Sequence, residues 1–200
     1  MVREHEAEIH KLRPTQITIG FIEVHFKKKE LEALGKHAQR DFLAAHMIPA
    51  VFGPDGRVHI TDHHHLARAA LAAGIQSGFF LIEADLAHLD ASAFWREMVD
   101  KSWAHPIDEQ GQRQPCTAIP RHLQELRDDV YRSLAGFVRM AGGYEKTPTA
   151  FAEFAWADFF RHRIVVGSKP EDFPRAVDAA LVLARSPAAR GLPGYRGVPA

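Results

Sequence analysis

Two hundred residues with a hydrophobic fraction of 46% are enough for one globular domain, or for a domain with a large extension. Lys and Arg total 25 and Asp and Glu total 25, so the formal net charge is zero. That balance weighs against an extended duplex-binding groove, which shows a basic surplus. The lone Cys116 excludes an intrachain disulfide and is compatible with a reducing compartment.

The first eleven residues are charged and lack an apolar h-region, and no apolar run approaches about 18 residues. A secretory signal and a membrane span are therefore not expected, and the expected address is the bacterial cytoplasm. Met1–Lys11 reads as a frayed lead-in. Leu12–Gln16 opens the fold, with Pro14 suited to the start of a strand. Ile17 and Ile19 alternate with Thr18 as in a strand. Past Gly20 the apolar phase shifts by one residue, which reads as a bulge or kink. Ile22, Val24 and Phe26 then alternate with Glu23, His25 and Lys27 in an extended segment. The three polar side chains share one face, either a solvated edge or the wall of a cleft.

Lys28–Arg40 has helical spacing, with Leu31, Leu34 and Ala38 inward. Ile48–Phe52 reads as a short strand, Gly53-Pro54-Asp55-Gly56 as a turn, and Arg57–Thr61 as the returning strand. Asp62-His63-His64-His65 leads into a helix carrying Leu66, Ala69, Ala70 and Ala73, stopped at Gly74. Phe79–Ala84 has strand length. Strand, helix, hairpin, helix, strand makes an α/β or α+β unit of about ninety residues.

From Leu86 onward the pattern is mostly helical. Ser92–Lys101 carries Phe94, Trp95 and Met98, and Trp103–Pro115 is a loop with a turn at Asp108–Gly111. Pro120–Arg127 reads as a short helix, Tyr131–Met140 as a helix stopped by Gly142-Gly143, and Thr149–Arg163 as a helix with Phe151, Phe154, Ala155 and Phe159 on its apolar face. Ser168 and Pro170 open a last helix through Ala176, Ala180 and Leu183, and Gly191–Ala200 reads as an extended tail. The expected division is a lead-in at 1–11, a core at 12–90, a helical extension at 91–186 and a tail at 187–200.

The handover from strand to helix at Asp62–His65 is the strongest chemical signal. A helix start combines orphan N–H groups with the positive end of the helix dipole, which suits an anion. Asp62 fits either an N-cap or a metal-binding or base carboxylate. Neighbours on a helix diverge by about 100°, so His63, His64 and His65 do not readily converge on one ion, although His63 and His65 share a face if locally extended, and the i,i+4 metal pair is absent. No intrinsic zinc site is expected. The histidines instead suit donation to phosphate oxygens, with magnesium arriving with a nucleotide through Asp62. Arg132 and Arg139, seven apart, share a helix face and read first as structural ion pairs with Asp128, Glu153 or Asp158, and otherwise as contributors to the cleft. Asp129 reads as a cap, and Trp156, Phe159 and Phe160 read as core.

Several separated motifs resemble the ParB-like nuclease family of the ParB/sulfiredoxin superfold. They are Leu12-x-Pro14-Thr15-Gln16, Gly20-x-x-Glu23-Val24, Asp62-His63-His64-His65, Leu126-x-Asp128-Asp129-x-Tyr131-Arg132-Ser133-Leu134, Gly142-Gly143-Tyr144 and Phe154-x-Trp156-Ala157-Asp158-Phe159-Phe160-Arg161. The resemblance implies a small mixed-sheet α/β (α+β) core with a mostly helical C-terminal half. It also implies a nucleotide or phosphate held at the helix after the central hairpin. Relatives that phosphorylate free serine bind phosphates with Asp-Gly-His-His-Arg and use a glutamate near the N-terminus as base. Asp62, His64 and His65 match that motif, His63 replaces its glycine and Leu66 its arginine, which leaves Arg68 or Lys27 to grip phosphate. Glu23 lies where the base is expected. The central stretch holds no cysteine for sulfiredoxin chemistry, and no helix-turn-helix is evident.

The expected function is therefore phosphoester chemistry of nuclease type, with Glu23, Asp62, His64 and His65 as catalytic residues and with nucleic acid or another phosphate-bearing ligand as partner. The alternatives are nucleotide-dependent phosphoryl transfer to a small molecule, with Glu23 as base, and a non-catalytic nucleotide-sensing or DNA-associated module. Substrate, metal and oligomeric state stay open.

Overall fold

Two stretches rich in apolar residues, Ile48–Phe52 and Ser77–Asp85, lie side by side at the centre of a mixed sheet. The computed structural model describes residues 3–169 and 171–197. In chain order its elements are β1 (Arg3–Glu8), β2 (Thr18–Ile19), α1 (Phe21–Glu32), α2 (Lys36–Ala45), β3 (Ile48–Phe52), β4 (Val58–Ile60), α3 (His64–Ala72) and β5 (Ser77–Asp85). There follow α4 (Ala91–Asp100), β6 (Arg127–Asp128), α5 (Val130–Met140), α6 (Ala152–Arg161) and α7 (Asp172–Arg185). The main sheet has the order β1-β5-β3-β4, and β2 pairs with β6 in a separate parallel ribbon. β3 and β4 form the expected antiparallel hairpin, with Gly56 at φ 68 in its turn. β3 and β5 run parallel across a register shift at Ala50/Val51. The fold is a mixed α+β architecture. Among the described residues no helix is long and apolar enough to cross a membrane.

Packing divides the chain into two units. One runs to Ile19 and takes Val24–Asp128; the other takes Gly20–Glu23 and the chain from Asp129. The break falls at 128/129, not at the 90/91 and 186/187 boundaries expected from sequence. In the first unit Ile48, Ala50, Ile60, Ala67, Phe80 and Ile82 form one core, and Phe94 and Met98 of α4 close a second over Ile17, Val51 and Leu86. The second unit packs Leu134 and Val138 of α5, Trp156 and Phe160 of α6, and Ala180 and Ala184 of α7.

Pro120–Arg127 is not the expected short helix but a 3-10 turn at Leu123–Glu125 leading into β6, and four further expectations change. Residues 3–8 are not frayed: β1 pairs antiparallel with β5 at the sheet edge. Its exposed Glu4, Glu6 and Glu8 alternate with the more buried His5 and Ala7, and outward charge is how edge strands avoid pairing with other chains. Residues 21–32 form a helix, not an extended segment. A period of two and a helical period cannot be told apart over five residues, and the helix formers Lys27–Glu32 decide the outcome, supported by a Lys28–Glu32 pair at 3.1 Å. Glu23 therefore shares a face with Lys27, while His25 turns out to solvent. The helix expected over Lys28–Arg40 is broken at Leu34-Gly35, and Ala38 is exposed on α2. The Gly-rich tail folds back: Trp156 Nε1 donates to Pro193 O at 2.7 Å, Glu145 N donates to Gly194 O at 2.9 Å, and Leu192 and Tyr195 pack on the second core. Met1 and Val2 of the lead-in, Pro170, and residues 198–200 of the tail lie outside the described residues.

The first turn of α1 meets α5 at a point where only hydrogen fits. A Cβ on Gly20 would lie 2.3 Å from Ser133 Oγ and 2.4 Å from Ser133 N. Gly20→Ala should cost about 1–3 kcal/mol of stability in urea denaturation; an unchanged midpoint would disprove this close approach.

His59 of β4 sits against Phe94 with ring centroids 4.7 Å apart, and its Nε2 lies 3.1 Å from Asp55 Oδ1. Burial lowers its pKa despite the opposing pull of Asp55, so the folded state holds the neutral ring. Because the folded pKa lies below the unfolded one, stability is complete above the ordinary histidine value of about 6.5 and falls as pH drops beneath it. Urea midpoints of wild type should decline more steeply below that pH than those of His59→Gln. Parallel declines would show that His59 does not carry the effect.

Candidate functional site

In the first unit, β4 delivers the chain to α3 through Thr61, Asp62 and His63. His63 occupies the N-cap position in the left-handed region, at φ 57 and ψ 29, and its side chain makes no cap hydrogen bond. This conformation costs a non-glycine residue about 1–3 kcal/mol. Asp62 is thus not the N-cap. It is exposed, and its Oδ1 accepts the His63 N–H at 2.6 Å, which orders the loop. Asp62 joins no group of three or more metal-ligating side chains among the described residues. One carboxylate already engaged with the backbone is a poor fit for a resident metal.

His64 is buried, and its Nε2 accepts the Thr15 N–H at 3.0 Å. An amide can only donate, so this nitrogen is unprotonated and the neutral ring carries its proton on Nδ1. The Thr15 hydroxyl donates to Ile60 O at 2.7 Å. His64 therefore fastens the strand-like Leu12–Gln16 segment to α3. His65 is also buried, and Arg68 stands one turn further along, at i+4 from His64 and i+3 from His65. Arg68 Nε is buried without a hydrogen-bond partner among the described residues. Lys27 lies half-buried on α1 in the same unit.

The second unit holds a different polar centre. Glu23 is 3% exposed. Its N–H donates to Ser133 Oγ at 3.3 Å, and its Oε2 lies where a Cβ on Gly136 would come within 2.4 Å. A carboxylate oxygen of Glu23 and one of Glu153, in the first turn of α6, lie within 4.8 Å of each other. Arg139 Nε donates to Glu153 Oε1 at 2.7 Å, the structural pairing expected of it. Arg132 differs: it is 4% exposed and its guanidinium carbon lies 3.4 Å from the centre of the Phe154 ring. Burial pushes its pKa down against the pull of Glu153 and Glu23. Burial and then Glu153 push the Tyr144 hydroxyl up, and it donates to Ala135 O at 3.0 Å. Asp129 caps α5 through Tyr131 N and takes both Nη1 and Nη2 of Arg161, at 3.2 and 2.7 Å.

The structure thus brings His63, His64, His65 and Arg68 together in one unit, and Glu23, Arg132 and Arg139 together in the other. Gly136 is the member sequence reasoning passed over, and Glu153 enters it only as an ion-pair partner. Gly136 stands at i+4 from Arg132 and i+3 from Ser133, and that spacing was the available signal.

The class is a mixed α+β fold, with a mixed four-stranded sheet in the first unit and a helical second unit. Residues 5–162 match the family described as "Putative ParB-like nuclease", and the chain belongs to that family. The crystal structure of protein Atu1540 from Agrobacterium tumefaciens is similar over 100% of this chain and 99% of that one, with 42% identity and a TM-score of 0.91. No curated protein matches the chain.

His64→Ala leaves the buried Thr15 N–H without its acceptor and should lower unfolding stability by about 1–3 kcal/mol. A variant as stable as wild type would mean that His64 does not fasten this segment.

Proposed function

We propose that the chain is a phosphoester-cleaving enzyme of nuclease type that binds a phosphate of its substrate at the start of α3. The observation that carries the reading is a helix start whose N-cap, His63, is left-handed and makes no side-chain cap hydrogen bond, with Arg68 one turn in and its Nε without a hydrogen-bond partner among the described residues. Backbone N–H groups at such a start, together with the helix dipole, favour an anion. A guanidinium one turn in adds the charge-assisted donor that a phosphate needs. Arg68 thereby takes the part of the motif arginine replaced by Leu66.

The histidines divide the work. His63 shapes the loop through its backbone, and His64 holds Thr15. The reading assigns proton transfer to His65, with Asp62 keeping the loop in shape. Balanced net charge supports a single-stranded or short substrate over a long duplex. Nucleotide-dependent phosphoryl transfer is the second reading, favoured by the same Arg68, since a nucleotide phosphate would meet the same donors.

Thermal shift with single-stranded DNA, ATP, ADP and CTP, each with and without magnesium, separates these readings when run beside cleavage of a labelled oligonucleotide. The nuclease reading expects stabilisation by DNA together with cleavage. Arg68→Ala should weaken binding about tenfold or more, and His65→Ala should abolish cleavage while DNA still binds. Stabilisation by one nucleotide alone would replace this reading with phosphoryl transfer. No response to any ligand would overturn both.

A further inference from the structure

His59 is a buried titratable group that the phosphate reading leaves unused. It is 7% exposed and packs against two other parts of the first unit. A Cβ on Gly53, in the β3–β4 turn, would lie 2.4 Å from its Nε2 and 2.5 Å from its Cδ2, so the ring rests directly on that glycine. The start of α4 meets the same ring, with Phe94 at 4.7 Å and Trp95 at 6.1 Å between ring centroids.

The two ring nitrogens have unequal surroundings. Nε2 lies 3.1 Å from Asp55 Oδ1. A carboxylate oxygen only accepts, so Nε2 carries the proton and Nδ1 is bare. Nδ1 is buried and has no hydrogen-bond partner among the described residues. A bare nitrogen carries no charge and is tolerated there. A second proton on it would make a charged donor with no acceptor, beside an aromatic wall. The place therefore fits imidazole and rejects imidazolium. Two charged groups act on the ring, and they oppose each other: Asp55 from the turn and Arg13 from the Leu12–Gln16 segment. Arg13 Nε also donates to Asp55 Oδ2 at 3.1 Å, which engages part of the carboxylate. His122 stands on Arg13, its Nδ1 3.5 Å from Nη1. From α4 the ring meets Phe94 and Trp95, which do not titrate.

Relief for a protonated ring is to leave Phe94 and reach water. Two features keep that movement local. Phe94 belongs to the smaller core with Ile17, Val51 and Met98, whereas Ala50, Ile60, Phe80 and Ile82 belong to the other. The turn is closed by few bonds, with Gly53 N donating to Arg57 O at 3.0 Å and Arg57 N to Asp55 Oδ1 at 3.0 Å.

We propose that His59 is a proton-operated latch between the β3–β4 turn and α4: protonation drives the ring off Phe94 and opens this contact while the centre of the sheet stays folded. The latch stands on the first unit alone and does not depend on the reading of α3. Its mark is local opening ahead of global unfolding.

The test uses the full 15N-labelled chain in native buffer over a pH series. Long-range proton–nitrogen spectra follow each histidine ring, and amide exchange follows the turn. At neutral pH the His59 ring should show a protonated Nε2 and a bare Nδ1. Because the closed ring takes its second proton less readily than an open one, protection of the Gly53 and Arg57 amides should be steady above about pH 6.5 and fall by up to about tenfold per pH unit below it. Low urea should leave exchange at these two amides unchanged, because a local opening exposes little surface, and should speed exchange at Phe80 and Ile82 of β5. His59→Gln should abolish the pH dependence at the turn. If that variant fails to fold, wild type still decides, since the loss of protection must follow the titration of His59 and not that of His122. A ring with Nδ1 protonated at neutral pH would overturn the proposal. So would protection at the turn that ignores the titration of His59, turn amides as urea-sensitive as those of β5, or a pH dependence that survives in His59→Gln.

Discussion

The second unit depends on how closely the start of α1 approaches α5. Gly20 touches the backbone of Ser133, the Ser133 hydroxyl accepts the Glu23 N–H, and the Glu23 carboxylate fills the place a side chain at position 136 would take. Three small residues, Gly20, Ser133 and Gly136, therefore set the position of one buried acid. Burying a carboxylate is costly unless charge or hydrogen bonds answer it, and the unit answers with Arg132 and Arg139. Glu153 from α6 then joins the same centre through Arg139. Around that polar centre the packing is strongly apolar: Tyr144 stacks on Trp156 with centroids 4.2 Å apart, and the folded-back tail seals the indole through Pro193.

The first unit solves a different problem. Its sheet ends in a short β4 that must turn directly into α3, and the N-cap is a histidine whose side chain makes no cap hydrogen bond. The backbone strain at His63 is held by Asp62 on one side and by the Thr15–His64 bond on the other. The three consecutive histidines are thus not three equivalent ligands. One bends the chain, one holds Thr15, and the third, His65, is buried in the first turn of α3. Strain that persists beside such a helix start is a pattern of ligand-binding loops.

Much of this could be read from residue order. The β3–β4 hairpin followed from Gly53–Gly56 between apolar runs, α3 from its alanine-rich face and Gly74, and α5 from Asp129 and Gly142. Three things were not legible, each for a physical reason. β1 hides its alternation behind glutamates, because an edge strand exposes charge where a central strand would carry apolar groups. The start of α1 shows apolar alternation over too few residues to separate strand from helix, and the helix-forming lysines and glutamates that settle it lie further along. The tail looks like linker by composition, but its prolines and glycines follow the surface of α6 and offer carbonyls to Trp156 and Glu145. Residue types at Asp62–His65 marked the handover from strand to helix, which the structure forms between β4 and α3. The duty of His64 depended on Thr15, nearly fifty residues earlier, which no local pattern reveals. Arg132 read first as a structural ion pair and otherwise as a contributor to the cleft, and its burial in the second unit was not visible in the local pattern.

The central claim is that the start of α3 receives a phosphate. The most direct measurement is a two-dimensional amide spectrum of the labelled protein during titration with inorganic phosphate. The account predicts that the amides of His64, His65 and Leu66 shift progressively and saturate, with the Nε proton of Arg68 shifting alongside them. Saturating shifts elsewhere in the chain, with these amides unmoved, would contradict it.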